Sequence, residues 1–279
     1  ANIDFNNINL ANILVEDTNN TKAGVRVTIG TGNGFDTTAY DLVLKGSKAS
    51  AASDVNAKVM NTLVTVAGNA VITSFTTDNA SIQNGVNATS TGGTVNVEAG
   101  TYVEDVSIRK SITLLGANAG IEGFNDARGA ETIVVSSGLP AYWAPIYIEN
   151  TNNVIIDGFT IDSNNDYGIT SDFSTDVLIA NNIIKNFTAS GIDAFPNQNL
   201  TIANNYIDAS NAVNSGISLY DQIGDTVINN NQIKVGSGSG IYLANVKNAE
   251  ITNNTVTGDS VSSYGLIIDG GLNNTVTVS

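Results

Sequence analysis

The sequence predicts an all-β solenoid, a right-handed parallel β-helix over residues 78–279, on three observations. Two independent marker columns recur with one period, short β-branched runs lie between Asn, Asp and Gly turns, and a short amphipathic segment precedes the periodic region. A small β-rich, sandwich-like module is expected ahead of it, over residues 1–77.

The first column reads Ile156-Asp157-Gly158-Phe159-Thr160-Ile161, then Ile179-Ala180-Asn181-Asn182-Ile183-Ile184, Ile202-Ala203-Asn204-Asn205-Tyr206-Ile207, Ile228-Asn229-Asn230-Asn231-Gln232-Ile233 and Ile251-Thr252-Asn253-Asn254-Thr255-Val256. Its closing apolar residue recurs at intervals of 23, 23, 26 and 23. The second column, Gly168-Ile169, Gly191-Ile192, Gly216-Ile217, Gly240-Ile241 and Gly265-Leu266, recurs at 23, 25, 24 and 25. A single coil cannot bury its own apolar side. Stacking coils about 4.8 Å apart sets each Ile over the next and closes a continuous core.

The Asn pairs fit the same geometry, because Asn tolerates the left-handed backbone of a tight corner and stacked Asn amides can bond along the axis. Asn181, Asn182, Asn204, Asn205, Asn230, Asn231, Asn253 and Asn254 are therefore read as a structural ladder. Outward positions Asp162, Lys185, Asp208, Lys234 and Thr257 follow one another on successive coils, so an ion ladder of alternating sign is expected to hold the register.

At the start, residues 78–87 read as an amphipathic capping helix, with Ile82 and Val86 on one face and Asp78 or Asn79 as N-cap. Strict alternation follows in Gly93-Thr94-Val95-Asn96-Val97-Glu98-Ala99-Gly100-Thr101-Tyr102 and in Val106-Ser107-Ile108-Arg109-Lys110-Ser111-Ile112-Thr113-Leu114-Leu115-Gly116. On these segments the sequence resembles the opening coils of the pectin-lyase-like right-handed β-helix superfamily, over about residues 78–279. The resemblance implies the fold. It leaves activity open, since the superfamily spans lyases, hydrolases, epimerases, phage spikes, adhesins and surface proteins without known chemistry.

Composition narrows the function. With 26 acidic against 11 basic residues the net charge is −15, which repels nucleic acid and anionic membranes. The absence of Cys and His removes disulfides, thiolate chemistry and imidazole catalysis. No stretch approaches the roughly 18 to 20 apolar residues of a membrane span, so no membrane insertion is expected. Ala1 reads as a mature N-terminus, and the acidic, Asn- and Thr-rich chain as a secreted or cell-surface protein.

The resemblance implies calcium held by grouped Asp with an Arg or Lys base in lyases, and clustered Asp with a His in hydrolases. Here His is absent, no Arg follows Arg128, and the epimerase motif Asp-Pro-His-Glu does not occur. Asp193, Asp221, Asp225 and Asp269 are scattered along the chain, and a glycosidase pair needs two carboxylates within about 5 to 10 Å. No catalytic residue is assigned. A calcium site is sketched by Asp162, Asn164 and Asp166, whose oxygens alternate as in a calcium loop, against the alternative of a solvated turn with no cofactor. Tyr142 and Trp143 are candidate glycan contacts, or part of an insertion folded on the flank.

These readings lead to a non-catalytic subunit of a surface filament, sheath or layer that assembles head to tail with copies of itself. Ile3, Phe5, Ile8 and Leu10 at one end and Thr275, Val276, Thr277 and Val278 at the other would complement each other's strands. The alternatives are a polysaccharide-binding or polysaccharide-cleaving β-helix and an adhesin domain of a longer protein.

Overall fold

The computed structural model describes residues 82–89, 91–138, 143–258 and 263–277, together with the backbone of short strands between residues 2 and 79. Three parallel sheets of eleven, seven and seven strands make up the solenoid. Each coil supplies one strand to each sheet. The coil Thr175–Ala180, Ile183–Lys185, Ser190–Phe195 is followed by Gln198–Ala203, Tyr206–Ala209, Ser215–Tyr220, every strand paired in register with its predecessor. These strands define the first, second and third sheets below.

Alternation along each strand sends every second side chain inward. Ile156, Ile179, Ile202 and Ile228 stack beneath the first sheet, Ile161, Ile184, Ile207 and Ile233 beneath the second, and Ile169, Ile192, Ile217 and Ile241 beneath the third, all buried. Each such side chain contributes about 1.5 to 3 kcal/mol on leaving water, so the core grows by a similar increment with every coil.

The Gly column has a packing cause. A Cβ on Gly191 would stand 2.6 Å from Ile207 Cγ2 and 2.7 Å from the carbonyl oxygen of Gly216. The third sheet therefore leaves the corner at a residue without a side chain, where the isoleucine of the second sheet fills the space.

The Asn pairs divide their work. Asn181, Asn204, Asn230 and Asn253 hold left-handed φ of 58°, 59°, 53° and 57° at the corner. Their partners Asn182, Asn205 and Asn231 are buried, and each bonds through Nδ2 to the Oδ1 of the next coil's Asn, at 3.2, 3.0 and 2.9 Å, the last acceptor being Asn254. The same Oδ1 atoms accept the backbone N–H of the preceding Asn at 2.9 to 3.0 Å. Buried amides that would otherwise cost about 1 to 3 kcal/mol apiece are thereby satisfied.

The ion ladder forms only in part. Asp162, Lys185, Asp208, Lys234 and Thr257 do lie in one register column. Yet among the described residues only Lys185 and Asp162 pair, at 3.4 Å, and Asp208 Oδ1 instead accepts from Ser210. An exposed pair contributes little, so a local hydroxyl and amide compete with it.

The helix occupies Ile82–Ala88, later than expected, and Asp78–Asn79 form a strand instead. Its first amides are held by a distant residue. Ile82 N and Gln83 N donate to the two oxygens of Glu104 at 2.6 and 3.0 Å, a carboxylate at the positive end of the helix dipole. The helix is no membrane span, and no helix among the described residues is long and apolar enough to be one.

Upstream, the described strands run parallel. Ile13–Glu16, Leu42–Lys45 and Ala70–Ile72 extend the first sheet down to Thr94–Val97, while Asn2–Asp4, Arg26–Thr28 and Leu63–Thr65 stack as a separate three-stranded sheet. One short antiparallel pair, Ser74–Phe75 with Asp78–Asn79, accompanies them, and the sandwich-like module expected over residues 1–77 lies largely outside the described residues. The connections between these strands are irregular in length, so no fixed period marks them.

Candidate functional site

The outer face of the third sheet carries a concentration of acidic and aromatic side chains. Two outward columns build it. The first stacks Tyr147, Thr170, Asp193, Ser218 and Tyr242 in direct register. The second stacks Glu149, Asp172 and Phe195, with Tyr220 on the next coil.

Small residues form the floor. Ser190 and Ser218 are buried, and their hydroxyls meet at 3.0 Å. Thr170 is only 6% exposed, and its Oγ1 has no hydrogen-bond partner. A buried hydroxyl left unpaired costs free energy, and such groups in native folds call for an explanation.

Aromatic rings rise along one side. Phe173 and Phe195 meet edge to face with centroids 6.1 Å apart, Phe195 and Tyr220 at 6.4 Å, and Tyr220 and Tyr242 at 5.7 Å. Phe173 and Phe195 are 56% and 43% exposed, so half of each ring faces water although the core lies one layer below. Phe173 holds a φ of 52°, unusual for an aromatic residue, and this turn places its ring at the foot of the row.

The carboxylates between these rings titrate far from their usual range. Burial, followed by the charge of Asp172, pushes Asp193 up to about 7. Burial also raises Asp172 to about 6, with Glu149 adding repulsion and a hydrogen bond from Tyr147 opposing it. The Tyr147 phenol is pushed up to about 12 by its own burial and by Asp172 and Glu149. Tyr167 and Tyr220 are raised as well, burial first and Asp193 next. The cation at this end, Arg109, is paired with Glu149 at 2.7 Å.

Asp172 and Asp193 are diagonal neighbours on adjacent strands, about 7 Å apart by sheet geometry. That separation falls in the range of glycosidase carboxylate pairs, and a protonated acid beside an ionised base is within reach near neutral pH. Sequence reading placed Asp193 among scattered acids and did not find Asp172, Phe195, Tyr220 or Tyr242. The signal is present, since each stands one coil from the next, but the residue type changes from coil to coil.

Other anticipated residues lie elsewhere. Asp162 Oδ1 accepts from Asn186 and Oδ2 faces Lys185, Asp166 Oδ1 accepts from Thr188, and Asn164 turns at a φ of 47°. Among the described residues no three acidic side chains gather at metal-binding distance. Trp143 is 58% exposed, and its carbonyl accepts from Tyr167 N at 2.9 Å, on the same coil as Tyr147 and Glu149. Ile3 pairs with Val27, and Thr275 and Val276 pair with Glu250 and Ile251. Thr277 donates its N–H to Ile251 O at 3.0 Å. Tyr142, Phe5, Ile8, Leu10 and Val278 lie outside the described residues.

The fold defines a parallel β-helix protein. Residues 142–279 match the family model described as the right handed beta helix region, in agreement with the fold expected from the sequence. Among solved structures, the pectin methylesterase from Aspergillus niger is 10% identical, with a TM-score of 0.32, covering 76% of this chain and 90% of that one. No curated protein sequence matches the chain.

Proposed function

We propose that this protein is a secreted or cell-surface saccharide-binding β-helix, and that the outer face of its third sheet is the binding surface. The observation that carries the reading is the exposed ring row Phe173, Phe195, Tyr220, Tyr242 beside Asp172 and Asp193. Sugar rings present flat C–H faces and a rim of hydroxyls. Aromatic rings take the former, and carboxylates, Tyr and Ser hydroxyls take the latter. A row that repeats once per coil suits a polymer more than a compact ligand. Trp143, exposed on the coil that carries Tyr147 and Glu149, stands at the edge of this face.

Affinity electrophoresis against neutral, amino and acidic polysaccharides tests the reading. Retardation by at least one polymer is expected, and its loss in the Phe195→Ala, Tyr220→Ala double variant. No retardation by any polymer, or retardation unaltered by the double variant, overturns it.

The filament or sheath subunit expected from the sequence is a second reading. It draws on the register-paired parallel stacking of all three sheets, a mode of strand addition that a second copy can share. A monomer in light scattering of the full-length protein removes it.

A further inference from the structure

We infer that the saccharide recognised on this face carries primary amines, as in a glucosamine-type polymer, with an ammonium group seated between Asp172 and Asp193. The inference rests on the saccharide reading above and adds the chemical class of the ligand.

Charge is the first argument. Three carboxylates share two adjacent columns, and the cation beside them, Arg109, is already paired with Glu149 at the margin. A uronate-bearing polymer would bring like charge onto this surface, which costs free energy in a partly desolvated setting. A neutral sugar would leave the mutual repulsion of Asp172 and Asp193 in place. An ammonium relieves it, because it offers three donors and a compact positive charge to acceptors that otherwise repel one another.

The surroundings point the same way. Burial keeps both acids partly protonated near neutral pH, with Asp172 adding repulsion on Asp193 and Glu149 adding it on Asp172. Thr170, in register between Tyr147 and Asp193, is a buried acceptor whose Oγ1 has no partner. Tyr220 and Tyr242 stack beside the carboxylates, and the faces of such rings attract a nearby cation. Acidic residues alone would be consistent with a solvated surface. An unsatisfied buried hydroxyl and a row of rings at the same place are not features of one.

The test is calorimetry on the full-length protein at about pH 7, with three oligosaccharides of equal length: a glucosamine oligomer, its fully N-acetylated counterpart and a galacturonate oligomer. Two charge-assisted contacts predict that the glucosamine oligomer binds at least about tenfold tighter than either of the others. Binding is expected to weaken in Asp193→Asn. Equal or tighter binding of the N-acetylated or galacturonate oligomer overturns the inference and leaves the saccharide reading standing. No binding of any oligomer, with no retardation by any polysaccharide, overturns both. The comparison among ligands uses the unaltered protein, so it holds even if the variant folds poorly.

Discussion

Asp193→Asn is the sharpest perturbation of the acidic face. In the folded protein the carboxyl is raised from 3.8 to about 7, whereas in the unfolded chain it titrates at its ordinary value. A raised folded value means that the protonated form is favoured by folding. The stability linked to this group is therefore fully present below about pH 4 and lost as pH rises toward 7. Three pH units at 1.36 kcal/mol each give about 4 kcal/mol, and solvent access to an outer sheet face reduces this to roughly 2 kcal/mol. Asn has the same shape and never ionises. Urea unfolding of both proteins from pH 4 to pH 8 should show similar stability at the acidic end and the variant ahead by roughly 2 kcal/mol at pH 8. Subtracting the two curves removes the general effect of the net charge of −15. Parallel curves across the whole window would refute the claim that Asp193 is held protonated by its surroundings.

Further expectations concern the scaffold and the neighbours of Asp193. Replacing Asn205 by Ala strips the acceptor from Asn182 and the donors to Ile179 O and Asn231, and should cost about 3 kcal/mol or more in denaturant unfolding. Gly191→Ala should lower stability by about 1 to 3 kcal/mol because the new Cβ meets Ile207 and the Gly216 carbonyl; an unchanged midpoint would contradict the packing argument. Arg128 donates to the carbonyls of Ile121 and Asn181 and pairs with Glu131, so Arg128→Ala should raise hydrogen exchange in residues 117–130. Tyr147→Phe removes a hydrogen bond that lowers the Asp172 value, and carbon NMR should find Asp172 titrating above about 6.

The solenoid was legible in the sequence because its core repeats. Ile161, Ile184, Ile207 and Ile233 must coincide in space, so selection for burial writes the period into the chain. The Gly column is as plain, since a side chain at Gly168, Gly191 or Gly216 strikes the isoleucine of the adjoining sheet. The helix boundary was not, because its cap is Glu104, more than twenty residues downstream, and local capping rules look only to adjacent positions. The ion column was visible, but its bonding depended on Ser210 competing for Asp208. The outward face was hardest to read. Its residues vary from coil to coil, as Tyr147, Thr170, Asp193, Ser218 and Tyr242 illustrate, and only the register taken from the inner columns brings them together.

In the proposed function Asp172 and Asp193 form part of a ligand-binding surface. Side-chain carboxyl carbon NMR of the full-length protein, titrated from pH 3 to pH 9 with and without the glucosamine oligomer, tests it most directly. Free-protein transitions are expected at about 6 for Asp172 and about 7 for Asp193, both moving downward when the oligomer is bound. Two carboxyls titrating near 4, unmoved by the oligomer, would contradict it.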